Sequence, residues 1–470
     1  MEGFTHRAGY GVWINDVRSE ALRIPNWPCM IYDDITDLSL RSLIDTMARA
    51  GYNELCLWGL LNSYSWTFDF SRESEPARVS RVRELISYAQ GKGIRLIYGL
   101  GVYSWGCDEI IRRIPEVRGT NPHALCGSSE ESFRQVCRII DFLFHTLDVD
   151  GVHLESADLG RCMCEKCAPI DNFSYHCALN RRVAEYIRKK YPDQIIMVNL
   201  INWQPRDDKL TDPDDPRVTA LAELSRSVDY IIDPGHLGHY VPMDHVRQIA
   251  GRLHCDFGTA GGTRTYFYPE WERLRTFLPF AHHAHTHLSA LYQNGGRACE
   301  YYTGPLVNPA SEFNTAVAGR ALSRPWESYR TLAEEALDEL YRPRDAAAMT
   351  ALYELFDGAE DAWFDNWDCR VALSRRPPDN RPTDCFRDFD AYRAKGSDAM
   401  EMSLRGVSHL ENYMPKEHWA RYREALSSLL ADAGRLMGRT QEDRKIARII
   451  ECLRNTVLDL SQLEEYERWK

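Results

Sequence analysis

The sequence predicts a parallel (β/α)8 barrel followed by a helical C-terminal region, and three observations carry that expectation. Short apolar runs alternate with amphipathic stretches over roughly 290 residues, the βα pattern of a parallel sheet. No GxGxxG or P-loop follows any run, which argues against an open doubly wound sheet. Beyond residue 325 the strand patterns stop and the periodicity is helical. The expected organisation is an N-terminal extension (1–27), a barrel (28–324) and a helical region (325–470).

The strands are read in order. PCMIYDD (28–34) comes first, then helical LSLRSLIDTMARAG and NELCLWG (53–59). Helical VSRVRELISYAQGKG leads to IRLIYGLGVYSW (94–105). SSEESFRQVCRIIDFLFHTL offers Ser128 and Ser129 as caps and runs into DVDGVHLES (148–156). QIIMVNLINW (194–203), VDYIIDPGH (228–236), HCDFGTAGG and GRACEYYTGP (296–305) complete eight, each preceded by a helical stretch. Later segments such as HWARYREALSSLLADAGRLMG keep apolar residues at helical spacing, with Leu426, Leu429, Leu430 and Ala433 in phase.

Composition narrows the partners. The chain of 470 residues is 44% hydrophobic and can bury a substantial core; its net charge of -12 comes without long runs of one sign. Neither nucleic acid nor a membrane surface is an expected partner. MEGFTHRAGYGVWINDVRSE lacks the basic start and apolar core of a secretory signal, so a cytoplasmic protein is expected. Self-association into a homodimer is left open. The 14 cysteines are too sparse for a disulfide scaffold, and most sit singly in apolar segments.

In a barrel, chemistry belongs to the C-terminal ends of the strands. Those ends offer Asp33 and Asp34; Trp58; Tyr103 and Trp105; Glu155 and Asp158; Asn199, Asn202 and Trp203; Asp233 and His236; Asp256; and Glu300, Tyr301 and Tyr302. Carboxylates among tryptophan and tyrosine suit a sugar, whose C–H faces stack on rings while its hydroxyls bond acids and amides. Any single acid could instead cap a helix or pair with an arginine.

Other residues extend the list. Arg118 and His123 follow strand 3; the histidine could act as acid or base near neutrality and the arginine could hold a carboxylate. Arg206 and Arg264 are further anion clamps or surface residues. Cys162, Cys164 and Cys167 form C-x-C-x-x-C, a spacing that could shape a loop or hold a structural zinc with a fourth ligand such as Cys107 or Cys126. No cofactor is expected for catalysis, because three thiolates and a fourth ligand close a zinc site. HHAHTH (282–287) is read as the end of a helix, where histidines favour the terminal carbonyls.

The strand 4 pattern DGVHLESAD with CMCEKC resembles the (β/α)8 glycoside hydrolases of families 20, 67 and 163, and EFNTAVAGRALSRPWESYRTLAEEALDELY (312–341) resembles their segment after strand 8. A narrower resemblance is to the family 156 exo-sialidases, which invert the anomeric centre. It rests on an acid at strand 1 (Asp33 or Asp34), Arg118 and His123 five apart, and Asn314 after strand 8; the second substrate-binding arginine has no clear match, Arg206 being the candidate. This resemblance implies an exo-sialidase acting on sialylated glycoconjugates, with His123 activating water. A β-N-acetylhexosaminidase or uronidase using Glu155 and Asp158 is the alternative, although the acids are separated by Ser-Ala rather than adjacent as in family 20. A carbohydrate-binding protein without catalysis would keep the aromatic mouth and need no acid or base.

Overall fold

Eight parallel strands close into a barrel in chain order. They are β1 (His6–Tyr10), β2 (Glu54–Leu57), β3 (Arg95–Gly101), β4 (Gly151–Glu155), β5 (Ile195–Asn199), β6 (Tyr230–Asp233), β7 (Asp256–Gly261) and β8 (Ala298–Tyr302). The computed structural model describes residues 2–10, 32–61, 65–157, 160–201, 203, 215–234, 243–261, 277–303, 306, 308–366 and 416–469. β1 joins β2 through Ala8↔Glu54 and Tyr10↔Cys56, and joins β8 through Ala8↔Glu300 and Tyr10↔Tyr302. Arg297 N donates to Phe257 O at 2.9 Å at the β7 to β8 seam. The barrel expectation holds.

The first strand lies elsewhere than expected. It is HRAGY, within the stretch read as an extension, so the barrel begins well before residue 28. Residues 28–31 fall outside the described residues, and Asp33 and Asp34 open a helix. β1 hides from a hydropathy reading because its buried face carries His6, whose partner is a glutamate from another strand.

That glutamate organises the N-terminal end of the barrel interior. Glu54 is fully buried and accepts from Tyr230 Oη at 2.6 Å, while His6 Nδ1 lies 2.7 Å from it and Arg95 donates to it. The His6 ring stacks on Tyr230 with centroids 4.0 Å apart. Asp256 is at this end too, 3.8 Å from His6 Nε2, at the start of β7 rather than its end as expected. Met197, Ile232 and Ala298 form an apolar cluster with Tyr230, the side-chain filling of a barrel too narrow for a pore.

The barrel helices are α1 (Asp34–Ala50), α2 (Pro76–Gly91), α3 (Asp108–Arg113), α4 (Glu130–Thr146), α5 (Asn172–Lys190), α6 (Pro216–Leu224), α7 (Met243–Ala250) and α8 (Ala281–Gln293). Their starts are written in short polar side chains that take up amides with no intrahelical acceptor: Asp33 accepts from Thr36 N, Ser129 from Ser132 N and Asp171 from Ser174 N. α4 is amphipathic, burying Val136, Ile139, Ile140 and Leu143 on one face.

The chain divides into two compact units. The barrel unit is drawn from Met1–His236, Val241–Ala260 and Leu291–Thr303, and a second from Leu237–Tyr240, Gly261–Ala290 and Gly304–Lys470. The second contains α9 (Pro309–Ser323), α10 (Tyr329–Tyr341), α11 (Ala346–Asn366), α12 (Lys416–Leu436) and α13 (Asp443–Trp469). α12 packs between α11 and α13, with the Trp363 ring 5.8 Å from Tyr422. Within the described residues no helix is long and apolar enough to cross a membrane.

The histidine run occupies the first turns of α8, not a helix end. The backbone N–H groups of His282 and His283 donate to Glu360, so an anion meets the positive end of the helix, and the His282 ring lies flat on Tyr329 at 4.2 Å. Lying at the N-terminal end of α8, these histidines are not placed to meet the carbonyls of a helix C-terminus.

Candidate active site

At the strand ends and just inside them, a cluster of buried polar groups surrounds one histidine. In β4 alternate residues face inward, and His153 and Glu155 share that phase. His153 Nδ1 is 3.1 Å from Cys56 Sγ and 3.4 Å from Glu300 Oε1; its Nε2 is 3.8 Å from Glu155 Oε2. Asn199, last in β5, donates to Glu300 Oε2 at 2.8 Å. Tyr10 and Trp58 pack their rings 5.6 Å and 5.4 Å from the imidazole, and Tyr302 meets Tyr10 edge-on. Gly99 makes room, since a Cβ there would lie 2.2 Å from the Trp58 ring.

Burial sets the charges. It holds His153 down to about 3, so the imidazole is neutral at ordinary pH. It pushes the Cys56 thiol well up, with Glu300 and Glu155 adding to the shift, so the thiol keeps its proton and can donate to Nδ1. That network assigns the remaining ring proton to Nε2, facing Glu155. Burial raises Glu300 to about 8 against the opposing hydrogen bond from Asn199. Glu300 is therefore a neutral acid near pH 7, able to donate. The Tyr10 phenol is raised by burial first and then by Glu155, Tyr302 and Glu300.

These shifts give a pH signature. A raised Glu300 contributes stability that is complete below its unfolded value of 4.5 and is lost as pH rises through about 8. A depressed His153 works in the opposite sense: its contribution is present above 6.5 and is lost as pH falls towards about 3. Thermal melts of Glu300→Gln should therefore decline less than wild type from about pH 6 to pH 9. Parallel curves for the two proteins over this range would show that the Glu300 carboxyl is not raised in the folded state.

The other expected residues are scattered. Asp33 caps α1, and the exposed Asp34 pairs with Arg81 at 2.9 Å, so neither ends a strand. His123 is exposed in the loop after β3, its Nδ1 3.0 Å from Asp108 Oδ1. Arg118 spends its guanidinium on the carbonyls of Ile111 and Arg112, which hold it as a loop staple rather than an anion clamp. Tyr103 is buried at a φ of 67°, its carbonyl accepting from Leu125 N. Trp203 is fully buried and stacked on His176, leaving no ring face for a sugar. Asn314 belongs to the helical unit, where it accepts from Phe280 N at 2.8 Å. Arg206, Asp158, Asn202, His236 and Arg264 lie outside the described residues.

Of the site proposed from sequence, the structure brings Glu155 and Trp58 into the cluster. Glu300 and Asn199 stood among the strand ends but not among the selected residues. His153, Cys56 and Tyr10 were missed. The signal for His153 was there in GVHLE, two residues before Glu155 and so on the same face.

The cysteines converge as well. Cys162, Cys164 and Cys167, in the loop after β4, meet Cys126 from the loop after β3, with their sulfurs all within 4.8 Å of one another. Cys107 is not part of this group.

The sequence matches no protein-family model and no curated protein. Among solved structures, a variant of the O-GlcNAc hydrolase of Thermobaculum terrenum aligns with a TM-score of 0.56 and 12% identity, over 98% of this chain and 83% of that one. CpGH84B aligns with a TM-score of 0.52 and 10% identity, over 99% of this chain and 70% of that one. What is shared is the fold. At such identity the barrel carries no assignment of chemistry, which rests on the residues above.

Proposed function

We propose that the protein is an exo-acting glycoside hydrolase for an N-acetylated sugar, with Glu155 protonating the leaving oxygen. The observation that supports this reading is the array of Glu155, the last residue of β4, with His153 and Glu300 two residues before the ends of β4 and β8, two carboxyls flanking one neutral imidazole. Glycoside hydrolysis needs a proton donor on one side of the scissile bond and a base or nucleophile on the other. A β-N-acetylhexosaminidase is the first choice of substrate class. The O-GlcNAc hydrolase named above shares the barrel, and in substrate-assisted hydrolysis of N-acetylated sugars the acetamido group itself supplies the attack.

Exo-sialidase action with inversion is the second reading. It draws on His123, which Asp108 orients as a carboxylate orients a catalytic base. The engagement of Arg118 by two carbonyls weighs against it. Aryl glycosides of N-acetylglucosamine, N-acetylneuraminic acid and glucuronic acid separate the readings. Release from the first alone is expected; release from the second alone would move the chemistry to His123, and no release from any would leave a carbohydrate-binding protein.

A further inference from the structure

We propose that Cys126, Cys162, Cys164 and Cys167 form a closed tetrathiolate zinc site that fastens the loop after β3 to the loop after β4. Four sulfurs bound to one zinc at about 2.3 Å must stand about 3.8 Å apart along the edges of a tetrahedron. Cys126 Sγ lies 3.8 Å from Cys164 Sγ and 4.0 Å from Cys167 Sγ, far too distant for a disulfide, and all four cysteines are free.

The surroundings suit thiolates. Cys164 N points at Cys162 Sγ at 3.4 Å, the Ser128 hydroxyl lies 3.2 Å from Cys126 Sγ and 3.8 Å from Cys164 Sγ, and Thr120 Oγ1 is 4.0 Å from Cys162 Sγ. On binding, each thiol releases its proton to solvent and the ion takes four sulfur ligands, leaving a net charge of two negatives. Arg161 stands beside the site, donating to Cys167 O and Ile170 O with its guanidinium over the Tyr175 ring. Gly119 completes the enclosure: a Cβ there would lie 2.4 Å from Cys162 Sγ. Cys162 and Cys167 are buried while Cys164 is half-exposed, so solvent reaches the site on one side.

The ion would be a fastener and not a reagent, since four protein ligands leave no open position. Its place gives it leverage on the mouth of the barrel. His123 is three residues from Cys126, and the loop bearing Cys162 begins where β4 ends at Glu155. This inference is independent of the proposed glycosidase activity.

Metal analysis of the purified full-length protein is the direct test. One zinc per chain is expected, retained by Cys255→Ser, whose cysteine lies outside the group, and lost from Cys126→Ser. Stripping wild-type protein with a chelator should open the β4 loop to trypsin at Arg161 and Lys166, and added zinc should close it again. Absence of metal from the wild-type protein, or a disulfide within the group, would overturn the site. Iron in place of zinc would overturn the zinc assignment. The wild-type measurement decides the matter even if Cys126→Ser does not fold.

Discussion

Glu155→Gln is expected to lower glycoside turnover by about 10²- to 10⁴-fold, the range for losing a positioned proton donor, with KM little changed. Glutamine keeps the shape of the side chain in its buried position beside His153, so the melting temperature should stay near that of wild type. The leaving group supplies a sharper reading. A substrate that departs as a stable phenolate needs little protonation, and the defect should shrink on it while remaining large on an alkyl glycoside. A defect of equal size on both would remove Glu155 from the acid role. Unchanged turnover on both would move the chemistry elsewhere in the barrel.

Glu54→Ala should be the most damaging substitution at the opposite end of the strands. Glu54 is fully buried and is bonded by His6, Arg95 and Tyr230. Removing it leaves the buried His6 and Tyr230 without their acceptor, at about 1–3 kcal/mol for each stranded group, while the Arg95 guanidinium is 40% exposed and can turn to water. Burial alone would raise the Glu54 carboxyl, but His6, Arg95 and Tyr230 together bring it below its ordinary value. A depressed carboxyl contributes stability that is present above its unfolded value of 4.5 and is lost as pH falls through the folded one. Wild type should therefore lose this contribution as pH falls below 4.5, and Glu54→Ala should lack that acid limb while being less stable at neutral pH. Chemical denaturation at both pH values measures the difference. Equal stability of the two proteins at pH 7 would show that the cluster contributes no net stabilisation.

These two glutamates mark what reading by hydropathy catches and what it passes over. Glu155 was legible because it ends an apolar run, and in a barrel that position faces the mouth. Glu54 was not, because it begins a strand and its side-chain partners lie 48 residues before it and 176 after it. β1 was lost for the same reason: its buried polar residue, His6, is received by Glu54 and Tyr230 from distant parts of the chain. Asp33 shows the reverse error. An acid after an apolar run looks like a strand end, and it also looks like a helix cap; its hydrogen bond to Thr36 N decides for the cap.

By itself the sequence determined the fold class, seven of the eight strands and the cysteine loop, because periodicity and capping act between residues close along the chain. Only the tertiary structure decided which polar groups meet. Cys56, His153, Asn199 and Glu300 come from four strands, and nothing local to any one of them specifies the others. Barrel closure sets their register, and the low polarity of the interior then fixes which keep their protons. The same holds for Cys126, which lies 36 residues before Cys162 and joins it only because β3 and β4 are neighbours.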